Sequence, residues 1–92
     1  MHIHAFDWDE KNESHIVRHG VALLEVEEAI LFDKPFYQRS REDKYVAYAV
    51  TEEGRFLFIV FTIKGCSRIR VITARDMTDK EKHYYRKRRG VR

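Results

Sequence analysis

The sequence predicts an α+β fold, in which two N-terminal helices and one C-terminal helix pack on an antiparallel β-meander. Three observations favour this class. Apolar residues recur at helical spacing in the first third of the chain, they alternate with a period of two between residues 44 and 74, and a helix-initiating motif follows. For a chain of 92 residues we expect one domain, residues 1–92, with its helices on one face of the sheet.

The first element is predicted to be a short edge strand, because side chains alternate along His2–Phe6. Asp7 is then the expected N-cap of a helix, with Glu10 completing a capping box three residues later. This helix should run to about His19. Gly20 follows at the position where a glycine in the left-handed conformation ends many helices.

The middle of the chain predicts a second helix and then the strands of the sheet. Apolar residues at helical spacing indicate a helix over Ala22–Phe32, and Pro35 ends it. Whether a further strand follows directly after this proline is left open. The other strands, rich in β-branched and aromatic residues, are predicted at Lys44–Val50, Arg55–Ile63 and Arg68–Ala74.

The C-terminal segment predicts a basic helix. Thr78 and Glu81 have the spacing of a second capping box, which opens a helix of about ten residues in "DKEKHYYRKRR". Residues 1–63 contain 7 Lys/Arg against 12 Asp/Glu, a net charge of −5, whereas residues 64–92 contain 11 against 3, a net charge of +8. Such a concentration of positive charge attracts phosphates, although a solvated basic tail is an equally good interpretation of the last residues.

Several classes of protein are excluded by what the sequence lacks. It has neither a signal peptide nor an apolar stretch long enough to cross a membrane, so we expect a cytoplasmic protein. A lone cysteine, Cys66, agrees with a reducing compartment. No Gly-rich phosphate loop and no Ser or Cys nucleophile motif is present, which excludes P-loop nucleotide hydrolysis.

Trp8, Asn12, His15 and His19 follow one another at spacings of four, three and four residues, which would align them on one face of a helix. Zinc binding by the two histidines is one interpretation, but the glutamate of the metalloprotease motif is missing. A structural role for half-buried imidazoles is another. The third is an RNA-binding surface beside the sheet.

RNA cleavage without a metal needs a base, a cation that stabilises the phosphorane, and an acid for the leaving oxygen. His15 and His19 titrate near neutral pH, and the rigid fork of Arg75 suits phosphate oxygens. Glu81 and the adjacent tyrosines of the last helix are further candidates. Strict alternation puts Arg68 and Arg70 on the opposite sheet face from Arg75, unless a bulge intervenes, so those two are expected to contact RNA or a partner.

The motifs "FDWDEKNESHIVRHGV", "RFLFIVFT", "RIRVITAR" and "TDKEKHYY", in this order, resemble the BrnT family of toxin ribonucleases over nearly the whole chain. The resemblance implies a RelE-like fold, cleavage of RNA without a metal or cofactor, and a BrnA-type antitoxin that forms a hetero-oligomer with the toxin. Matched residue by residue, it marks Trp8, His19, Arg75, Glu81 and Tyr85. This chain departs from the usual pattern in having Arg18 before "HG" and a shorter spacing from "WD".

Together these observations predict an endoribonuclease toxin that cleaves mRNA and is neutralised by an antitoxin. The expected catalytic residues are His19, Arg75, His15, Glu81 and Tyr85. The expected RNA contacts are Trp8, Asn12, Arg55, Arg68, Arg70 and Arg88. Two alternatives are a non-catalytic module that binds an antitoxin or nucleic acid, and a metal-binding module that uses His2, His4, His15 and His19.

Overall fold

The fold is a mixed five-stranded sheet with three helices, and the computed structural model describes residues 3, 5–32, 35–65 and 67–88. The strands are β1 (Ala5–Phe6), β2 (Phe36–Arg39), β3 (Lys44–Val50), β4 (Phe56–Gly65) and β5 (Arg68–Asp76). The helices are α1 (Glu10–Arg18), α2 (Leu23–Phe32) and α3 (Asp79–Arg88). The strand order is β1-β5-β4-β3-β2. The predicted antiparallel meander is confirmed over β3 to β5, β2 adds a fourth antiparallel strand at the position left open, and β1 joins the other edge in parallel to β5.

Helix α1 begins later than the sequence predicted. Its N-cap is Asp9, whose Oδ1 accepts a hydrogen bond of 2.9 Å from the backbone N–H of Asn12. Asp7, the predicted N-cap, instead donates its backbone N–H to the Ile69 carbonyl over 2.8 Å, which continues the sheet pairing beyond β1. The end of the helix agrees with expectation, because Gly20 adopts φ +76° directly after it.

The helices cover both faces of the sheet, so the prediction that they share one face is wrong. Leu57 and Ile59 of β4 are fully buried in a core with Ile16 of α1 and with α2. Phe58, which lies between them in β4, belongs to a second cluster with Tyr85 of α3. Since β4 is apolar on both sides, each of its faces requires a cover.

A β-bulge in β5 changes the phase of its side chains. The pairing of β4 with β5 shifts at Ile72, which has no partner in the register. Arg70 pairs with Thr62 and Arg75 with Phe58, and these two β4 residues lie on the face that α3 covers. The bulge therefore brings onto one face arginines that strict alternation would separate. This face includes Arg68, Arg70 and Arg75.

Candidate active site

Arg75 and Glu81 form a bidentate ion pair between the end of β5 and the first turn of α3. Nη1 and Nη2 of the guanidinium donate to the two carboxylate oxygens over 2.8 and 2.9 Å. Nη1 also donates to the Asp76 carbonyl over 3.0 Å, and the guanidinium carbon lies 4.2 Å from the centre of the Phe58 ring. The position and the plane of this guanidinium are thus set by four contacts.

The carboxylate of Glu81 is itself anchored by the helix that it caps. It accepts the backbone N–H of Thr78 over 2.9 Å, and Thr78 Oγ1 accepts the backbone N–H of Glu81 over 3.2 Å. This confirms the predicted capping box. The hydrogen bonds from Arg75, together with those from Thr78, hold the pKa of Glu81 below its ordinary value. The group therefore stays ionised at neutral pH.

A shallow groove of about 370 Å³ lies next to this ion pair on the α3 face. We call it the aromatic groove, and its lining residues are Gln38, Tyr48, Lys80, Glu81 and Tyr84. The two tyrosine rings meet edge to face at 5.4 Å. Burial raises the pKa of Tyr48, and the neighbouring Glu81 raises it further, so this hydroxyl keeps its proton at neutral pH.

The groove includes residues that the sequence analysis did not select. Tyr48 and Gln38 lie on β3 and β2, and each belongs to an alternating pattern that also fits an ordinary core or edge strand. Tyr85 was selected, but it is only 5% exposed and its ring packs on Phe56 at 5.8 Å. Its neighbour Tyr84 faces the groove instead. The alternation of side chains along β3 was the sequence feature that could have placed Tyr48 on this face of the sheet.

The two histidines of α1 lie at a different groove. His15 lines a depression of about 300 Å³, here called the α1 groove, with Lys11, Asn12, Arg18 and Ile72. Both His15 and His19 are exposed, and their rings are 5.1 Å apart. Because α1 and α3 pack on opposite faces of the sheet, these histidines and the Arg75–Glu81 pair belong to separate surfaces.

The four residues predicted to share one face of α1 differ in their contacts. Trp8 precedes the helix, is half-buried and donates Nε1–H to Glu27 of α2 over 2.7 Å. Asn12 donates its side-chain amide to the Val71 carbonyl over 2.7 Å, on the edge of β5 beyond the residues that pair with β1. These two residues join α1 and the chain before it to the rest of the fold, while the histidines remain accessible.

The arginines that were predicted to contact RNA differ in their exposure and in their ion-pair partners. Arg55 bonds to Asp76 over 2.7 Å and to Glu25 over 2.8 Å on the α2 face, and these carboxylates raise its pKa. Arg70 forms an ion pair with the N-cap residue Asp9. Arg68 is exposed, and Arg88 is exposed while stacking 4.8 Å from the Phe36 ring. Of this set, the structure leaves Arg68 and Arg88 most open to a ligand.

Metal ligands do not cluster within the described ranges, where no group of three His, Cys, Asp or Glu side chains could hold an ion. His2 and His4, which the metal-binding alternative requires, lie outside those ranges, as do Cys66 and residues 89–92. None of the helices described is long and apolar enough to span a bilayer.

Comparisons with known proteins agree with this architecture. The model of the family described as the ribonuclease toxin BrnT of type II toxin–antitoxin systems matches residues 8–81. The crystal structure of the Brucella abortus ribonuclease toxin BrnT superposes with a TM-score of 0.63, covering 86% of this chain and 100% of that one at 16% identity. That similarity demonstrates a shared fold. A search of curated proteins gives no match. Since the family match spans most of the chain, the protein belongs to the BrnT family of ribonuclease toxins.

Proposed function

We propose that this protein is an endoribonuclease toxin that cleaves mRNA in the cytoplasm without a metal ion, and that its reaction centre is the Arg75–Glu81 pair beside the aromatic groove. The observation that supports this most strongly is the fixed guanidinium of Arg75, whose partner Glu81 lines a groove with two tyrosines. A preorganised cation is what the developing charge of a phosphorane requires. In this proposal His15 and His19 lie outside the reaction centre.

Arg75 has donors left for a phosphate while it remains paired with Glu81. Its contacts within the described residues use both hydrogens of Nη1 and one hydrogen of Nη2. The Nε–H and the second hydrogen of Nη2 point in parallel along one side of the guanidinium. These two donors match two non-bridging oxygens of a phosphodiester, so Arg75 can bind the scissile phosphate side-on.

In the proposed reaction the 2′-oxygen of the RNA attacks the phosphorus and the bond to the 5′-oxygen breaks, which leaves a cyclic phosphate. The 2′-proton passes to water. Tyr48, whose hydroxyl is protonated at neutral pH, donates a proton to the departing 5′-oxygen, and the phenolate that this leaves takes a proton back from water. Glu81 does not transfer a proton, because its pKa is lowered, and its part is to position Arg75.

The proposal includes a BrnA-type antitoxin that forms a hetero-oligomer with the toxin. Type II toxin–antitoxin systems, to which the family belongs, supply such a protein partner. The last turn of α3 contains Arg86, Lys87 and Arg88, in a C-terminal part with a net charge of +8 that comes from 11 Lys/Arg against 3 Asp/Glu. An acidic antitoxin segment on this helix would block the approach to the aromatic groove, and its association would be fast and salt-sensitive.

The test is cleavage of a defined mRNA by the purified protein in excess chelator. We expect cleavage to persist with chelator and to stop when a co-purified antitoxin is present. Loss of cleavage with chelator, restored by a divalent ion, would overturn the metal-free mechanism. No cleavage by the folded protein, together with no growth arrest on expression, would favour a non-catalytic binding module.

A further inference from the structure

The aromatic groove and Arg75 are connected by one row of cross-strand neighbours. Arg75 pairs with Phe58, Phe58 with Tyr48, and Tyr48 with Phe36, so the row crosses four strands at one level of the sheet. At a strand spacing of about 4.8 Å, the backbones of Arg75 and Tyr48 lie roughly 10 Å apart. A nucleotide spans such a distance from its phosphate to its base.

The walls of the groove suit a flat ring. Tyr84 is held edge to face by Phe36 at 5.7 Å and by Tyr48 at 5.4 Å, which fixes its orientation. Tyr48 is 8% exposed and makes a further edge contact with Phe58 at 5.4 Å. Rings immobilised in this way lose little entropy when a base stacks on them, and an unstacked base of single-stranded RNA presents both of its faces.

Gln38 provides a hydrogen-bonding group at the rim. It lies on the edge strand β2 opposite Val46, is exposed, and its amide makes no hydrogen bond to any described residue. An amide offers a donor and an acceptor side by side, the arrangement that matches the N6–H donor and the N7 acceptor of adenine. Guanine presents two acceptors on that edge, and the nearby carboxylate of Glu81 disfavours its O6.

We propose that the aromatic groove binds one adenine base of single-stranded RNA, stacked on Tyr84, and that Gln38 reads its edge and sets a preference for cleavage next to adenine. This inference rests on the proposed function, because it takes the scissile phosphate to lie at Arg75. Lys80, exposed at the rim, then contacts the phosphate of the adjoining nucleotide.

The test uses 2′-deoxy tetranucleotides of A, C, G and U, which bind but cannot be cleaved because they lack the attacking hydroxyl. Affinities are measured by titration, with the Gln38 side-chain amide and the Tyr84 ring observed by NMR. We expect the adenine tetranucleotide to bind roughly 10-fold more tightly than the cytosine one, with shifts at both groups. Gln38→Leu and Gln38→Glu should reduce that ratio to about 2-fold or less, because neither retains both halves of the amide.

Ser40→Ala, at an exposed position just after β2, is the matched control and should leave the ratio unchanged. Equal affinities for the four bases, or binding without shifts at Gln38 and Tyr84, would overturn the adenine site. Cleavage of RNA with no base preference would also overturn it, while the proposed ribonuclease would stand. Adenine binding without any cleavage would support the adenine site and contradict the proposed ribonuclease activity.

Discussion

Arg75 and Glu81 are joined by parallel hydrogen bonds of 2.8 and 2.9 Å, although one residue lies near the end of a strand and the other caps the helix that follows. The carboxylate is fixed by Thr78 and the guanidinium stacks on Phe58. Among the contacts of the described residues, none uses the Nε–H of Arg75. The same contact thus connects the C-terminal helix to the sheet and orients the cation that the proposed reaction uses.

Glu81→Gln tests whether this contact positions Arg75. The amide keeps one acceptor for the guanidinium but loses the charge and the second parallel bond. We expect the turnover rate on RNA to fall by about 10-fold or more with a smaller change in KM. The control is Asp79→Asn, which removes an exposed carboxylate from the same helical turn. A fall in turnover that is equal in both variants would indicate a general charge effect instead.

The same carboxylate makes stability depend on pH. Because the folded state lowers the pKa of Glu81, the stability that its ionised carboxylate contributes is complete above the ordinary value of 4.5 and is lost as the pH falls through the lower folded value. We expect the urea midpoint of the wild type to exceed that of Glu81→Gln at pH 6 and the difference to shrink by pH 3. A difference that grows on acidification would contradict the ion pair.

Trp8→Phe probes the link between the N-terminal segment and α2. The phenyl ring keeps most of the packing but cannot donate to Glu27, which now receives the indole N–H over 2.7 Å. Loss of one such hydrogen bond costs about 1 kcal/mol, so the melting temperature should fall by roughly 4–8 °C. The control is the double variant Trp8→Phe/Glu27→Leu. It leaves no carboxylate without a donor, so much of the lost stability should be recovered. An unchanged melting temperature for the single variant would show that the bond adds nothing.

Asn12→Asp tests how α1 is attached to the edge of β5. The Asn12 amide donates to the Val71 carbonyl, and a carboxylate there would face that carbonyl without a hydrogen. We expect a loss of about 1–3 kcal/mol in the free energy of unfolding at neutral pH, partly recovered in acid when the carboxyl group is protonated. Asn12→Ala should cost less. If Asn12→Asp were as stable as the wild type, the amide would have no structural role.

Much of the fold was predictable because the interactions that start and end its helices and strands join residues close in sequence. The Thr78–Glu81 capping box, the positive φ of Gly20 and the three strands after residue 43 depend on neighbours a few residues away. The N-cap of α1 was placed two residues early, because Asp7 extends the pairing with Ile69 of β5. Such a contact across more than sixty residues leaves no local pattern.

The site was harder to predict, since its composition depends on which face each element covers. The bulge at Ile72 decides that Arg70 and Arg75 share a face, and nothing in "RIRVITAR" shows where the pairing shifts. Tyr84 and Tyr85 are neighbours about 100° apart on a helix, and only the packing of α3 determines which of them faces the groove. Arg75 and Glu81 were selected for their chemistry and do come together.

The proposed mechanism places the reaction at Arg75 and not at the histidines of α1. It is tested most directly by the single-turnover cleavage rate of one RNA with Arg75→Ala and with the double variant His15→Ala/His19→Ala, each confirmed as folded. We expect the cleavage rate to fall by about 10²- to 10³-fold in Arg75→Ala and to stay within roughly threefold of the wild type in the double variant. A large loss in the double variant with little loss in Arg75→Ala would contradict it and place the chemistry at the α1 groove.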